Sequence, residues 1–176
     1  YNFRLGEIES AIAIEQLKKL DKIVKSRQKI ANYLNNHLKN LVGVKIPHVE
    51  NFNTHSYYVY SLVLDTNAIG LSRETILKAL EAEGLKGVYG KYNLLYDLPI
   101  YKQKIAYGTK GFPWNSDICK REINYSRGIC PVAESMQDEQ FIGLGLCNYN
   151  LNQFDLENII NVFHKVWNNL KNLQDR

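Results

Sequence analysis

Apolar residues recur at Ala13, Leu17, Leu20, Val24, Ala31, Leu34, Leu38 and Leu41, in alternating steps of four and three with only Arg27 out of series. That rhythm stacks every member on one side of a helix, because residues three and four apart share a face. The pattern predicts an amphipathic helix from Gly6 to about Leu41, with Gly43 as the stop beyond its end. Unbroken, it would run about 50 Å at 1.5 Å per residue. A small domain has no use for a helix that long. It therefore either bends near Asp21 or ties this part of the chain to another body. Lys18, Lys19, Lys22 and Lys25 cluster on it and read as a solvated face.

Past Gly43 the period changes. GVKIP (43–47) is short and β-like, and HSYYVYSLVLD (55–65) predicts the strongest strand. Tyr58, Tyr60, Leu62 and Leu64 share one of its faces, with Tyr57, Val59 and Val63 on the other, and two apolar faces place it centrally in a sheet. Ser72 then caps a second helix, RETILKALEAE, that Gly84 ends. A third helix is predicted from Ser135 with Asp138 at its third position, followed by a turn within GLGLC (143–147). The last helix, from about Gln153 to Leu170, has Asp155 and Glu157 in its first turn and Lys165 and Lys171 near its end, as the helix dipole favours. It turns Leu156, Ile159, Ile160, Phe163, Val166, Trp167 and Leu170 inward. Strands and helices are segregated rather than alternating, which predicts a small α+β layer structure. The expected division is a long helix with its leader over 1–42 and a small α+β domain over 43–176.

Two stretches carry chemical interest. Between Leu85 and Trp114 lie Tyr89, Tyr92, Tyr96, Tyr101 and Tyr107, ending in KGFPW, with no helix or strand period. Tyrosines suit sugar rings, nucleobases and protein interfaces, but they equally hold a loop down on a core. Irregular stretches of this length inside compact domains are usually functional or disordered, and this one is too aromatic for disorder. At the start, Asn2 and Arg4 precede the first helix. Their donors, beside a helix N-terminus, would make a phosphate or carboxylate reader. Alternatively Arg4 pairs with Glu7 or Glu9 while Asn2 caps the turn.

Composition narrows the classes. The net charge of +4 comes from 22 basic and 18 acidic residues spread along 176 positions, unlike the gathered charge of a nucleic-acid binder. Cys119, Cys130 and Cys147 are odd in number and widely spaced, and His37, His48, His55 and His164 form no metal-binding pattern. Buried or free thiols in a reducing cytoplasm are expected. No apolar run is long enough to span a membrane. There is no nucleophile motif, Gly-rich phosphate loop or prominent carboxylate pair. The chain, beginning at Tyr1, reads as a piece that contributes to a site rather than containing one.

YNFRLGEIESAIAIEQLKKLD, at the start, closely resembles a segment of the DegT-type, pyridoxal-phosphate-dependent sugar aminotransferases. The resemblance rests on Tyr1, Asn2, Phe3, Arg4, Leu5, Glu7, Ile8, Ala11, Gln16, Leu17, Leu20 and Asp21, with Ser10 where the family usually has Ala. Looser agreement follows in HSYYVYSL, the Tyr92–Pro99–Tyr101 stretch, FPW (112–114), GICPVAES (128–135) and the terminal DLENIINVFHKVWNNL. The resemblance implies the small C-terminal α+β domain of a type I aminotransferase fold, with a long inter-domain helix and a small antiparallel sheet flanked by helices. It implies pyridoxal phosphate as cofactor, a nucleotide-linked keto-sugar and an amino-acid donor such as glutamate as substrates, and a homodimer. Asn2 would reach the cofactor phosphate of the other subunit, and Arg4 would sit at the interface or cofactor edge. Tyr92 and Tyr96 fall where the family has a Tyr and a His facing the sugar nucleotide, and Tyr58 where many members have a His. The family's Schiff-base lysine would lie upstream of Tyr1, so no lysine here takes that role. Two alternatives stay open: a dehydratase of the same family, and a non-catalytic module gripping a glycan or a protein.

Overall fold

The long stripe is broken. In the computed structural model, which describes residues 3–174, it forms two helices, α1 (Glu7–Leu17) and α2 (Leu20–Leu38), parted at Lys18 and Lys19 just ahead of Asp21. The N–H of Lys19 turns to the carbonyl of Gln16 at 3.0 Å, a tighter closure that ends the first helix. Only the later half of the stripe is covered. Ile30, Ala31, Leu34 and Leu38 are buried, whereas α1 buries none of its residues and Leu17 and Leu20 are exposed. Helix α2 also stops short of Gly43, which instead turns with φ +69° into the first strand.

Four strands make an antiparallel sheet in the order β1-β2-β4-β3: β1 (Val44–Lys45), β2 (Tyr60–Leu64), β3 (Val88–Tyr89) and β4 (Phe141–Leu144). β2 is central, as its two apolar faces predict. It begins later than the sequence suggests because Tyr57 takes φ +49°, a left-handed conformation incompatible with an extended strand. The Tyr57 N–H donates to His55 Nδ1 at 2.8 Å. Directly paired residues share a face of a sheet. The pairs Tyr60–Leu144, Leu62–Ile142, Val44–Leu64 and Val88–Leu144 therefore set all seven side chains on one face, and all are buried.

Helices complete that layer. α4 (Arg73–Ala82) starts where Ser72 Oγ accepts from the Thr75 N–H, and α7 (Gln153–Asn168) starts at a reciprocal box between Asn152 and Asp155. The predicted inward residues Leu156, Ile159, Ile160, Phe163, Val166 and Trp167 are all buried. They share one core with α2, α4 and the sheet. The chain closes with α8 (Leu170–Gln174), and a short helix α3 (Thr66–Ile69) follows β2.

Two predictions in the later half need correction. The third helix, α6 (Pro131–Ser135), starts four residues earlier than Ser135, with Pro131 in its first turn. It then widens into a π turn, Met136–Gln140. The turn expected within GLGLC is present as the 3-10 turn Gly145–Asn148, after its first two residues have closed β4. The tyrosine-rich stretch also holds local order, namely β3, a 3-10 turn (Leu95–Asp97) and the short helix α5 (Pro99–Lys102).

Candidate functional site

The face of the sheet away from the core carries the aromatic material. Tyr89 on β3 pairs with Gly143 on β4, and its ring lies flat against that glycine: a Cβ there would sit 2.5 Å from Tyr89 Cζ. The ring also meets Phe141 edge-on at 5.9 Å. Burial raises the Tyr89 phenol, with smaller contributions from the neighbouring hydroxyls of Tyr58 and Tyr92. Tyr58 and Tyr92 are 69% and 65% exposed, enough for either ring to meet a ligand.

Tyr92 and Tyr96 are tied to one short segment. The Tyr92 N–H donates to Gln137 Oε1 at 2.8 Å, and the Tyr96 hydroxyl donates to Glu134 Oε1. Glu134 also accepts from the Gly128 N–H at 2.8 and 2.9 Å and from the Cys130 N–H at 3.4 Å. Gln137 and Glu134 stand three positions apart on α6 and the π turn. Arg127 pairs with Asp138 in the same turn and with Asp97, which also pairs with Lys102 at 2.8 Å. The half-buried Tyr96 thus stands in a lattice of charges, and its phenol is raised by burial and by the Glu134 carboxylate.

The remaining rings do something else. Tyr101, Trp114 and Tyr125 pack on one another at 5.6–6.5 Å, and Trp114 Nε1 donates to Tyr125 Oη at 2.9 Å. These hold the loop together, so both readings of the aromatic stretch apply, to different residues. Arg4 lies exposed ahead of α1. Asn2 lies outside the described residues. Among those described, no cluster of His, Cys, Asp or Glu suits a metal ion, and no helix is long and apolar enough to cross a membrane.

Sequence reasoning passed over Arg73, Glu134 and Gln137. Arg73 follows a helix cap and looks like an ordinary solvated residue, yet it is 1% exposed. Its carbonyl partners lie more than 60 positions away, so no local pattern marks it. Pro131 ahead of Glu134 was the one usable signal, as a helix start.

The Glu134 carboxyl is held below the ordinary range by the Tyr96 hydroxyl, then by the Gly128 and Cys130 amides and the Arg127 charge. Asp97 is lowered likewise by Lys102 and Arg127. Groups depressed in the folded state stabilise it fully above their unfolded values and lose that contribution as pH falls through the folded ones. Acidification below the ordinary glutamate value of 4.5 should therefore loosen the 92–138 loop before the core melts. In a Trp167→Phe variant, Trp114 fluorescence should change at higher pH than the far-ultraviolet circular dichroism. Coincident transitions would count against it.

A family model for the DegT/DnrJ/EryC1/StrS aminotransferases matches residues 1–142, and the chain belongs to that family. A DegT/DnrJ/EryC1/StrS aminotransferase from Brucella abortus superposes with a TM-score of 0.64 at 25% identity, over 92% of this chain and 36% of that one. GDP-perosamine synthase from Vibrio cholerae is 29% identical over 132 residues, 74% of this chain and 35% of that protein. The spore coat polysaccharide biosynthesis protein SpsC from Bacillus subtilis is 25% identical over 139 residues, 79% of this chain and 34% of that protein. The chain thus spans about a third of the length of the curated relatives it matches.

Proposed function

We propose that this chain is the C-terminal part of a pyridoxal-phosphate-dependent enzyme that transfers an amino group to a keto-sugar on a nucleotide carrier. The observation that carries the reading is the family match over residues 1–142. The relatives support it, since one makes GDP-perosamine and another serves polysaccharide synthesis. In this reading, residues 1–42 join two bodies of the whole protein and 43–176 form its small domain. The exposed faces of α1, including Ile8, Ile12 and Leu17, are then covered by the rest of a homodimer. The amino donor is an amino acid such as glutamate, the enzyme works in the cytoplasm, and the reactive lysine lies in the preceding chain.

Asn2 holds the cofactor phosphate of the other subunit, and Arg4 lies at the interface or the cofactor edge. A guanidinium presents forked donors that match phosphate oxygens. The Glu9 carboxylate lies over Gly6, where a Cβ would collide with it. That negative charge sits at the start of α1, so the hold rests on side chains rather than on the helix end. When bound, the cofactor supplies an electron sink for the transfer. Tyr58, Tyr92 and Tyr96 present rings and hydroxyls to the sugar nucleotide, a surface with both apolar and polar character.

The test is on the whole protein. Its visible spectrum is recorded, it is reduced with borohydride, and the modified lysine is mapped. A trapped lysine ahead of Tyr1 supports the reading, cofactor without a trapped lysine favours the dehydratase, and absence of cofactor overturns both. Asn2→Ala should weaken cofactor affinity by about tenfold, the loss of one hydrogen bond to a charged group. Unchanged affinity in a titration removes that role.

A further inference from the structure

We propose that Arg73 is a positioning residue for the tyrosine face, acting through the π turn and Gln137. The inference rests on the reading that Tyr92 faces the sugar nucleotide. Arg73 is rooted at the first position of α4, and its guanidinium is buried beneath the segment that carries both tyrosine anchors. Nη1 donates to the Gln137 carbonyl at 2.8 Å and more weakly to that of Met136 at 3.5 Å, and Nη2 donates to the Asp138 carbonyl at 2.7 Å. A carbonyl oxygen has two lone pairs, and that of Met136 also accepts from the Phe141 N–H across the wide turn. The fork therefore braces the π turn Met136–Gln140 from outside, and π turns often mark functional positions.

The grip has two consequences for Tyr92. It fixes the backbone of Gln137, whose side chain accepts the Tyr92 N–H. It also supports the strand leading to Tyr92. Gly90 lies directly on the arginine, and a Cβ there would come within 2.6 Å of Arg73 Nε and of Leu77 Cδ1. The same guanidinium thus bears on the chain two residues before Tyr92 and on the residue that holds Tyr92 itself. Glu134, one turn earlier, receives the Tyr96 hydroxyl. One buried cation sets the segment on which both tyrosines lean.

A purely structural arginine would affect folding without tracking the Tyr92 amide. The experiment therefore measures hydrogen exchange in the whole protein on peptides spanning Tyr92, alongside KM and kcat. The substrate is whichever of UDP-, GDP- and dTDP-linked keto-sugar probes is aminated fastest with glutamate as donor. Gln137→Ala should speed exchange at Tyr92 by about fivefold, the worth of one hydrogen bond. It should raise KM several-fold with kcat little changed. Gln137→Glu, which keeps the acceptor oxygen, should restore both. Arg73→Lys should behave like Gln137→Ala, because a single ammonium cannot serve the carbonyls as a planar fork does. If Arg73→Lys does not fold, the Gln137 pair still decides. Exchange at Tyr92 unchanged by Gln137→Ala, or by a folded Arg73→Lys, overturns the positioning role. Faster exchange with KM unchanged overturns the role of Tyr92 towards substrate, and with it the functional part of the inference.

Discussion

Phe163→Ala is expected to lower the unfolding free energy by about 3–5 kcal/mol. Phe163 has no exposed surface, lies 5.8 Å from Trp167 between ring centres, and belongs to the core shared by the sheet, α2, α4 and α7. Deleting its ring removes buried apolar area and leaves a cavity. The cavity cannot close readily, because its surroundings are fixed independently. α7 is pinned at its start by the Asn152–Asp155 box, and near its end Trp167 Nε1 donates to the Val42 carbonyl at 2.8 Å. Phe154→Ala, in the first turn of the same helix, provides the contrast. That ring is 69% exposed, so its loss should stay within about 0.5 kcal/mol. Urea unfolding of both variants, with slopes unchanged, reads the difference directly. A cost below about 1 kcal/mol for Phe163→Ala would mean that α7 does not anchor the core as described.

The same helix shows what the sequence can reveal. Its stripe and six of its seven expected inward residues were legible, because helical periodicity is a local signal, whereas its Asn152 cap was passed over and Leu170 is only half-buried, at the start of α8. β2 was legible for a similar reason, its alternation being dense and apolar. β4 was hidden by Gly143 and Gly145, which break any alternation. Gly143 belongs there because the ring of Tyr89, on the neighbouring strand, takes the space a side chain would need. The first helix stripe misled by its regularity. Ala13, Leu17 and Leu20 keep the period but are exposed, and Val24 is only half-buried, so pattern alone could not divide the buried half from the bare one. Tyr57 was misplaced in a strand for want of any signal of its left-handed turn.

At the tyrosine face the division is sharper. Tyr58, Tyr92 and Tyr96 were nominated through the family resemblance, but what orders Tyr92 and Tyr96 is long-range. Gln137 meets Tyr92 across 45 positions, Glu134 meets Tyr96 across 38, and Arg73 meets the π turn across more than 60. Each contact is polar and specific, so no hydrophobic period announces it. The start of the third helix was misread for another reason: Pro131 is a local signal that was passed over, while the guanidinium arriving from α4 grips only the π turn beyond the helix's far end.

Arg73→Met should therefore cost about 3–5 kcal/mol, although methionine fills much of the same volume. The aliphatic stem is replaceable, but the donors are not. Without them the carbonyls of Gln137 and Asp138 lose partners at 2.8 and 2.7 Å in a part-buried setting. Arg73 also donates to Glu74 Oε1 at 2.8 Å, which raises the question of which side of the guanidinium matters. The Glu74 side chain is 50% exposed, and pairs open to solvent contribute less than about 1 kcal/mol. Glu74→Gln should accordingly be nearly neutral, and the double variant should cost little more than Arg73→Met alone. Chemical unfolding of the single and double variants separates the two interactions. If Glu74→Gln proved as costly as Arg73→Met, the arginine would be serving its neighbour on α4, and the π turn would have to hold its shape by other means. If the costs divide as expected, stability and the placement of Tyr92 depend on the same two carbonyl contacts, and a change that relaxes one must relax the other.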